Sequence, residues 1–234
     1  MKKTIKILTI LALLGATLPV WAQEYKTREI PNAPAFNAIE ISGGDVEVSF
    51  AQGEKHSIYI SGVAKSVKAT KVSIKDNTLF ISYKEPFFGE DNLTISISAP
   101  QLKRVSVYGE VDFKAETGFT GKELTIKTHQ DSEVTMNNIA VDKINIEAKG
   151  TSSVDLDYIE ADTVRANAYD RAEIDLSGRA NQAELNKKGM FAEIDSEKLM
   201  AKRVNAINPN GKVANNNAVK QVNKNGAIEF EFND

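Results

Sequence analysis

Apolar residues recur along the second half of this chain at a fixed interval of twenty residues. One column consists of Val134, Val154, Ile174 and Ile194. Each lies in a string of alternating apolar and polar residues, as in a β-strand. A second column runs through Leu124-Thr-Ile126, Ile144-Asn-Ile146, Val164-Arg-Ala166, Ala183-Glu-Leu185 and Val204-Asn-Ala206. Two short strands per period are typical of a stacked β-solenoid, in which each turn buries its inward face against its neighbours.

The first half of the chain also alternates with period two, but it has no fixed repeat. Ile39-Glu-Ile41 and Val46-Glu-Val48-Ser-Phe50 indicate strands. The string Lys75-Asp-Asn-Thr78 separates two further strands and predicts a hairpin. We therefore predict an all-β fold, a right-handed parallel β-helix with about twenty residues per turn, preceded by N-terminal β-strands. The expected divisions are an extended lead-in over 23–35 and one solenoid domain over 36–234, with N-terminal strands over 36–113 and regular turns over 114–234.

The first 22 residues have the pattern of a secretory signal peptide. Lys2, Lys3 and Lys6 precede an apolar run from Ile7 to Val20, and Val20-Trp21-Ala22 is a plausible cleavage site. The apolar run is short for a membrane-spanning helix. We expect an exported protein of the periplasm or cell surface, with no integral membrane segment after signal cleavage.

Cysteine content and charge exclude several classes of function. The chain contains no cysteine, so disulfides, cysteine nucleophiles, zinc–thiolate sites and a lipid-modified N-terminal cysteine are not expected. The formal net charge is −3, and loss of the three signal lysines makes the chain more acidic. A nucleic-acid partner is not expected, because it would need a clustered basic face.

Several segments resemble a known family. They are Phe36 to Phe50, Ser57 to Gly62, Leu79 to Tyr83, and the string Ser98-Ala-Pro100-Gln-Leu102-Lys-Arg-Val105-Ser-Val-Tyr-Gly109-Glu-Val111. These strand, proline and glycine patterns are similar to those of the family described as putative auto-transporter adhesin, head GIN domain, which is frequent in Bacteroidetes. The resemblance covers roughly residues 36 to 232. It implies an exported β-helix-like fold and carries no catalytic residues to this chain.

The repeat places acidic side chains in outward columns. If Val134, Val154 and Ile174 face inward, then Asp155, Asp175 and Asp195 point outward on consecutive turns, about 4.8 Å apart. Like charges at this spacing repel each other unless a cation offsets them. Calcium binds several carboxylate oxygens, so these three residues are the candidate metal site. The alternative is a solvated acidic face.

A catalytic function is an alternative, because several polysaccharide lyases and hydrolases are β-helices. Asp155, Asp175 and Arg171 are the residues from which a carboxylate site could be drawn. Turns of twenty residues leave little chain for the loops that build groove walls. His56 and His129 lie far apart in sequence. We therefore predict that the protein is not an enzyme.

Aromatic residues are the candidate contacts for a partner or glycan. Tyr158, Tyr169 and Phe191 fall at or near predicted corners and are candidates for an exposed aromatic strip. Phe87 and Phe88 lie in a charged loop, where they either dock a partner or plug the junction between the N-terminal strands and the solenoid. In each case packing against the core is the alternative.

These observations favour an exported, non-catalytic envelope or surface module that binds a glycan or an envelope protein in the manner of an adhesin. A glycan-processing β-helix enzyme, or an inactive descendant of one, is the first alternative. A purely structural envelope protein is the second.

Overall fold

A computed structural model describes residues 24–84, 93–115 and 117–207, together with the backbone of 219–222 and 228–231. The predicted signal peptide over 1–22 lies outside these residues, as do Phe87 and Phe88. The described chain is almost entirely β. Its elements are β1 Tyr25–Pro31, β2 Ala38–Gln52, β3 Ser57–Val63, α1 Ala64–Ala69, β4 Lys71–Lys75, β5 Thr78–Ser82, β6 Leu93–Ala99, β7 Arg104–Ala115, β8 Phe119–Gln130, β9 Glu133–Asn137, β10 Ile139–Gly150, β11 Ser153–Ala168, β12 Glu173–Lys187, β13 Glu193–Ile207, β14 Val219–Val222 and β15 Ile228–Glu231.

The predicted solenoid is confirmed. It has about five turns of about 21 residues, and β7 to β13 stack through parallel pairings. Val134 lies opposite Val154, which lies opposite Ile174, and the series continues to Ile194. In the second column the interval departs from twenty residues after Val164, because Val164 pairs with Ala183 and Ala183 pairs with Val204. The right-handed sense of the coil stays a prediction from the crossover rule.

Each turn contains three short faces, which the turn from 133 to 150 illustrates. Face 1 is Glu133–Asn137, face 2 is residues 139–141 and face 3 is residues 143–150. Inward and outward positions alternate within each face, and Val134, Ile139 and Ile144 are fully buried. The alternation breaks at Asp142, which the pairing with β11 skips. The chain therefore bends between faces 2 and 3.

Two corners of the turn have left-handed backbone angles that repeat from turn to turn. Gln130, Gly150 and Asp170 form the corner between face 3 and the next face 1, with φ of 67°, 78° and 56°. Asn138 and Tyr158 form the corner between faces 1 and 2, with φ of 55° and 54°. In the next turn the left-handed residue is Gly178, with φ of 119°, which pairs with Ile159 because the register shifts there. Glycine, asparagine and aspartate tolerate this conformation best, and they occupy four of these six positions, with Gln130 and Tyr158 as the exceptions.

The parallel ladder includes β2, β5 and β6, which lie in the segment where we expected only preceding strands. β2 pairs on one side with β7. On its other side it pairs with β5 and β6, which follow it in sequence. The spatial order of the first turns therefore differs from their chain order, because the chain passes from β2 to the outermost turn and then returns to β7.

Antiparallel strands flank both ends of the described stack. β3 pairs with β6, β1 pairs with β3, and β4 forms the predicted hairpin with β5, which is confirmed. The expected lead-in thus contains β1. Helix α1, which the sequence did not indicate, places Ser66 and Val67 in the interior. At the other end β15 pairs antiparallel with β13. Such pairing protects the edges of a sheet from further strand addition.

Candidate functional site

The predicted acidic column is in register. Thr135, Asp155, Asp175 and Asp195 lie opposite one another on β9, β11, β12 and β13. Burial raises the pKa of Asp175 to about 6, and the charges of Glu173, Asp195 and Asp155 add to this effect against an opposing contribution from Lys198. Burial also raises the pKa of Asp155. The column is therefore an electrostatically unfavourable row of carboxylates.

The three aspartates of the column are not arranged to coordinate one metal ion together. Adjacent carboxylates are one strand apart, so Asp155 and Asp195 are separated by roughly 10 Å. Calcium takes its oxygen ligands at about 2.4 Å, so one ion could bridge only two of the three side chains. Within the described residues, no group of three or more His, Cys, Asp or Glu side chains is arranged to hold a metal. Calcium binding here stays a prediction.

Of the three residues in the catalytic hypothesis, Asp155 and Asp175 lie side by side on adjacent strands, and Arg171 lies in the turn before β12. His56 Nε2 bonds to the carbonyl of Phe36 at 2.9 Å, and the two rings pack edge to face. His129 lies beside Tyr108 on face 3, with ring centroids 6.2 Å apart. This geometry gives His56 a packing role.

The candidate aromatic residues do not form one strip. Tyr169 and Phe191 lie at the corner between face 3 and face 1, whereas Tyr158 lies at the corner between faces 1 and 2. Tyr158 and Phe191 are largely exposed. Tyr169 is half-buried between Lys149 and Lys188, whose ammonium groups lie 5.1 and 4.9 Å from its ring centroid.

A groove follows the bend between faces 2 and 3 across five turns. Its volume is about 770 Å³. Its floor is a column of small residues in register: Gly121, Val141, Ala161, Ala180 and Ala201. Four inter-strand steps of roughly 4.8 Å give the floor a length of about 19 Å. The small side chains leave room above the floor for an elongated ligand.

Charged and polar side chains form the walls of this groove. Asp142, Asp162, Asn181 and Lys202 lie along the bend, and Ala140, Glu160, Arg179 and Met200 lie on the other side. The Asn181 side-chain amide donates to Asp162 at 2.7 Å. All eight wall residues are exposed to solvent. The groove therefore combines an apolar floor with hydrogen-bonding groups of both charges.

Tyr158 borders a second hollow that adjoins the groove. This hollow has a volume of about 360 Å³ and shares Ala140, Glu160 and Arg179 with the groove. The backbone N–H of Tyr158 donates to Ser177 Oγ at 3.2 Å. The Ser177 hydroxyl in turn donates to the Asp157 carboxylate. The position of Tyr158 is thus fixed by the neighbouring turn.

Tyr158 is an unusual residue for its backbone conformation. Its φ is 54°, and the equivalent corner position of the preceding turn carries Asn138. A bulky side chain in this region costs roughly 1 to 2 kcal/mol. The side chain is 69% exposed, so burial gives little in return. A strained residue that the core does not require is a functional candidate.

Sequence reasoning identified Tyr158 but missed the groove. The signal for the floor was present, since Gly121, Val141 and Ala161 are twenty residues apart. The spacing then changes to 19 and 21 residues at Ala180 and Ala201. Even an unbroken column of small residues would indicate a groove only once the bend beside it is known.

The fold and groove define a class of protein, a β-solenoid with a long surface groove that crosses its parallel strands. The sequence matches the family described as putative auto-transporter adhesin, head GIN domain, over residues 35–223. The chain therefore belongs to that family, as its segments indicated. No curated protein matches the sequence.

Solved structures share this fold. A putative adhesin from Parabacteroides distasonis superposes with a TM-score of 0.71 at 17% identity, covering 78% of this chain and 77% of that one. A putative adhesin from Parabacteroides merdae gives 0.68 at 21% identity, with the same coverage. A protein described as a putative lipid binding protein from Parabacteroides distasonis gives 0.66 at 16% identity, again covering 78% and 77%. At these identities the likeness concerns the fold.

The adhesin-type family suggests an exported or surface protein that interacts with other molecules. Among the residues that the structure describes, no helix is long and apolar enough to span a bilayer.

Proposed function

We propose that this chain is an exported, non-catalytic interaction module of the bacterial periplasm or cell surface, and that it binds a glycan chain in the groove. The observation that carries the proposal is Tyr158, which is exposed and strained beside the hollow that adjoins the groove. The adhesin-type family and the signal-like N-terminus support the cellular setting. The length of the floor, about 19 Å, suits an extended polymer better than a compact metabolite.

The lining favours a glycan over other elongated ligands. A sugar ring has apolar C–H faces that can lie on Val141, Ala161 and Ala180. Its hydroxyls can bond to the carboxylates and the amide along the walls. An aromatic ring at one side offers a further packing face. An acyl chain would leave Glu160 and Arg179 without polar partners wherever it excluded water, which is costly.

Non-catalytic binding agrees with the exposure of the groove carboxylates. Hydrolysis of a glycoside needs two carboxyl groups that flank the bond, one of which stays protonated because its surroundings exclude water. Glu160 and Asp162 are exposed side chains on a surface groove. The structure thus offers them hydrogen-bonding roles rather than proton transfer.

A glycan array with the mature chain tests the proposal. Tyr158→Asn should remove the aromatic contact while keeping a residue that accepts the corner conformation. Ala140→Trp should fill the groove from an outward position. The matched controls are Tyr25→Ala, since Tyr25 is also 69% exposed, and Ala69→Trp, since Ala69 is an exposed alanine on α1.

We expect the wild type and both controls to bind the same sugar class and both groove variants to lose it. Equal binding by all five proteins would show that the glycan-binding site lies outside the groove. Binding to no glycan would refute the ligand class and favour the structural alternative or a protein partner. Release of reducing ends from the bound glycan would refute the non-catalytic assignment.

A further inference from the structure

A second line of side chains runs along the end of face 3, beside its corner with face 1 and away from the groove. It consists of Tyr108, His129, Lys149, Tyr169 and Lys188, one from each of five adjacent turns, and we call it the cation–aromatic ladder. Tyr108 pairs with His129 and His129 with Lys149 in the strand register. The N–H groups of Tyr169 and Lys188 bond back to the carbonyls of Ala148 and Ala168, which continues the series.

Tyr169 holds two ammonium groups in defined positions. Lys149 Nζ lies 5.1 Å from its ring centroid and Lys188 Nζ lies 4.9 Å from it, so the two charges are at most about 10 Å apart. Lys188 Nζ also donates to the Tyr169 hydroxyl at 2.9 Å. Free lysine side chains lose much conformational entropy when they bind a ligand. Here contacts to the aromatic ring have already restricted them, which favours binding.

Positive charge predominates around these contacts. Glu147 forms an ion pair with Lys149, and Lys127 and Lys188 act on the same carboxylate: together the three lysines lower the pKa of Glu147. Asp170 is the other acid near Lys149, and its side chain already accepts from the Gly150 N–H. Three ammonium groups thus share two carboxylates, both of which have partners.

We propose that the cation–aromatic ladder is a second binding surface, for an acidic polysaccharide. The carboxylates of such a chain would pair with the ammonium groups of Lys149 and Lys188, and the chain would follow the solenoid axis along the ladder. Tyr169 is a positioning residue in this interaction. A polymer is favoured over an anionic membrane because a thin chain contacts the ladder alone, whereas a flat bilayer would also meet the acidic remainder of a protein with net charge −3.

This inference does not rest on the groove. Lys149 lies seven residues from Asp142 along the same strand, about 23 Å from the bend. The two surfaces can therefore be tested separately, and Ala140→Trp should leave polyanion binding unchanged.

The test measures binding of the mature chain to immobilised polygalacturonate at low and moderate salt, with neutral dextran as the reference polymer. The double variant Lys149→Gln/Lys188→Gln should bind about tenfold more weakly, which corresponds to about 1.4 kcal/mol, and with a shallower salt dependence. The control Lys65→Gln/Lys68→Gln removes the same charge from exposed positions on α1 and should bind like the wild type.

Tyr169→Ala distinguishes a positioned pair of cations from net charge. It keeps both lysines, so net charge predicts no change, whereas the ladder predicts weaker binding. Equal losses in the two double variants would overturn the proposal. So would unchanged binding by Tyr169→Ala, absence of polygalacturonate binding at low salt, or tighter binding to phosphatidylglycerol vesicles than to the polysaccharide.

Discussion

Replacing Asp175 with asparagine should stabilise the protein at neutral pH. The pKa of Asp175 is about 6 in the folded chain, and its ordinary value, which applies to the unfolded chain, is 3.8. Folding therefore favours the protonated form. The resulting penalty is absent below pH 3.8, grows as the pH rises, and is complete above about pH 6. The displacement corresponds to at most about 3 kcal/mol. Because the side chain is only half-buried, solvent screening reduces this to about 1 to 1.5 kcal/mol.

Urea denaturation of the wild type and Asp175→Asn at pH 7.5 and pH 3.5 measures this penalty. The variant should be more stable by about 1 to 1.5 kcal/mol at pH 7.5 and nearly equal to the wild type at pH 3.5. Glu197→Gln is the charge-matched control, since Glu197 is an exposed acid on β13 outside the column. A gain no larger than that of the control, or a gain that persists at pH 3.5, would refute the electrostatic account of the column.

Three further predictions concern the core, a corner and the metal candidates. Leu156→Ala should destabilise the protein by about 2 to 5 kcal/mol in urea denaturation, because Leu156 is fully buried. Gly178→Ala should lower the free energy of unfolding by about 2 kcal/mol or more in the same assay. The reason is that φ is 119° and a Cβ would lie 2.2 Å from the nitrogen of Ile159. In the control Gly121→Ala the nearest contact of the added Cβ is 3.5 Å away, so stability should be nearly unchanged. Calcium should raise the Tm of the wild type and not of Asp175→Asn if the column binds it, and no rise would leave a solvated acidic face.

The repeat in the sequence was sufficient to predict the solenoid and the register of the acidic column. Inward residues of successive turns pack on one another, so a twenty-residue period in Val134, Val154 and Ile174 has few other structural explanations. The hairpin between β4 and β5 was equally accessible, because Asp76 and Asn77 both adopt positive φ in its turn.

The order of the first turns could not be predicted in this way. Pairing of β2 with β5, β6 and β7 depends on contacts distant in sequence, and no local pattern encodes which neighbour is chosen. The candidate site could be predicted from the sequence only in part. Tyr158 stood out as an aromatic residue near a corner, but its strain is visible only from the backbone. The pairing of Tyr169 with two lysines needed the register of three turns.

The exchanged order of the first turns has a mechanical consequence. Turns from β13 back towards β7 make nearly all of their contacts with their immediate neighbours. Force applied at the C-terminal end should therefore release them one at a time, as in other stacked repeats. Loss of β7 would still leave β2 held on its other side by β5 and β6. We therefore expect the turns from β7 to β13 to unfold stepwise, and the N-terminal segment around β2, β5 and β6 to unfold as a single unit.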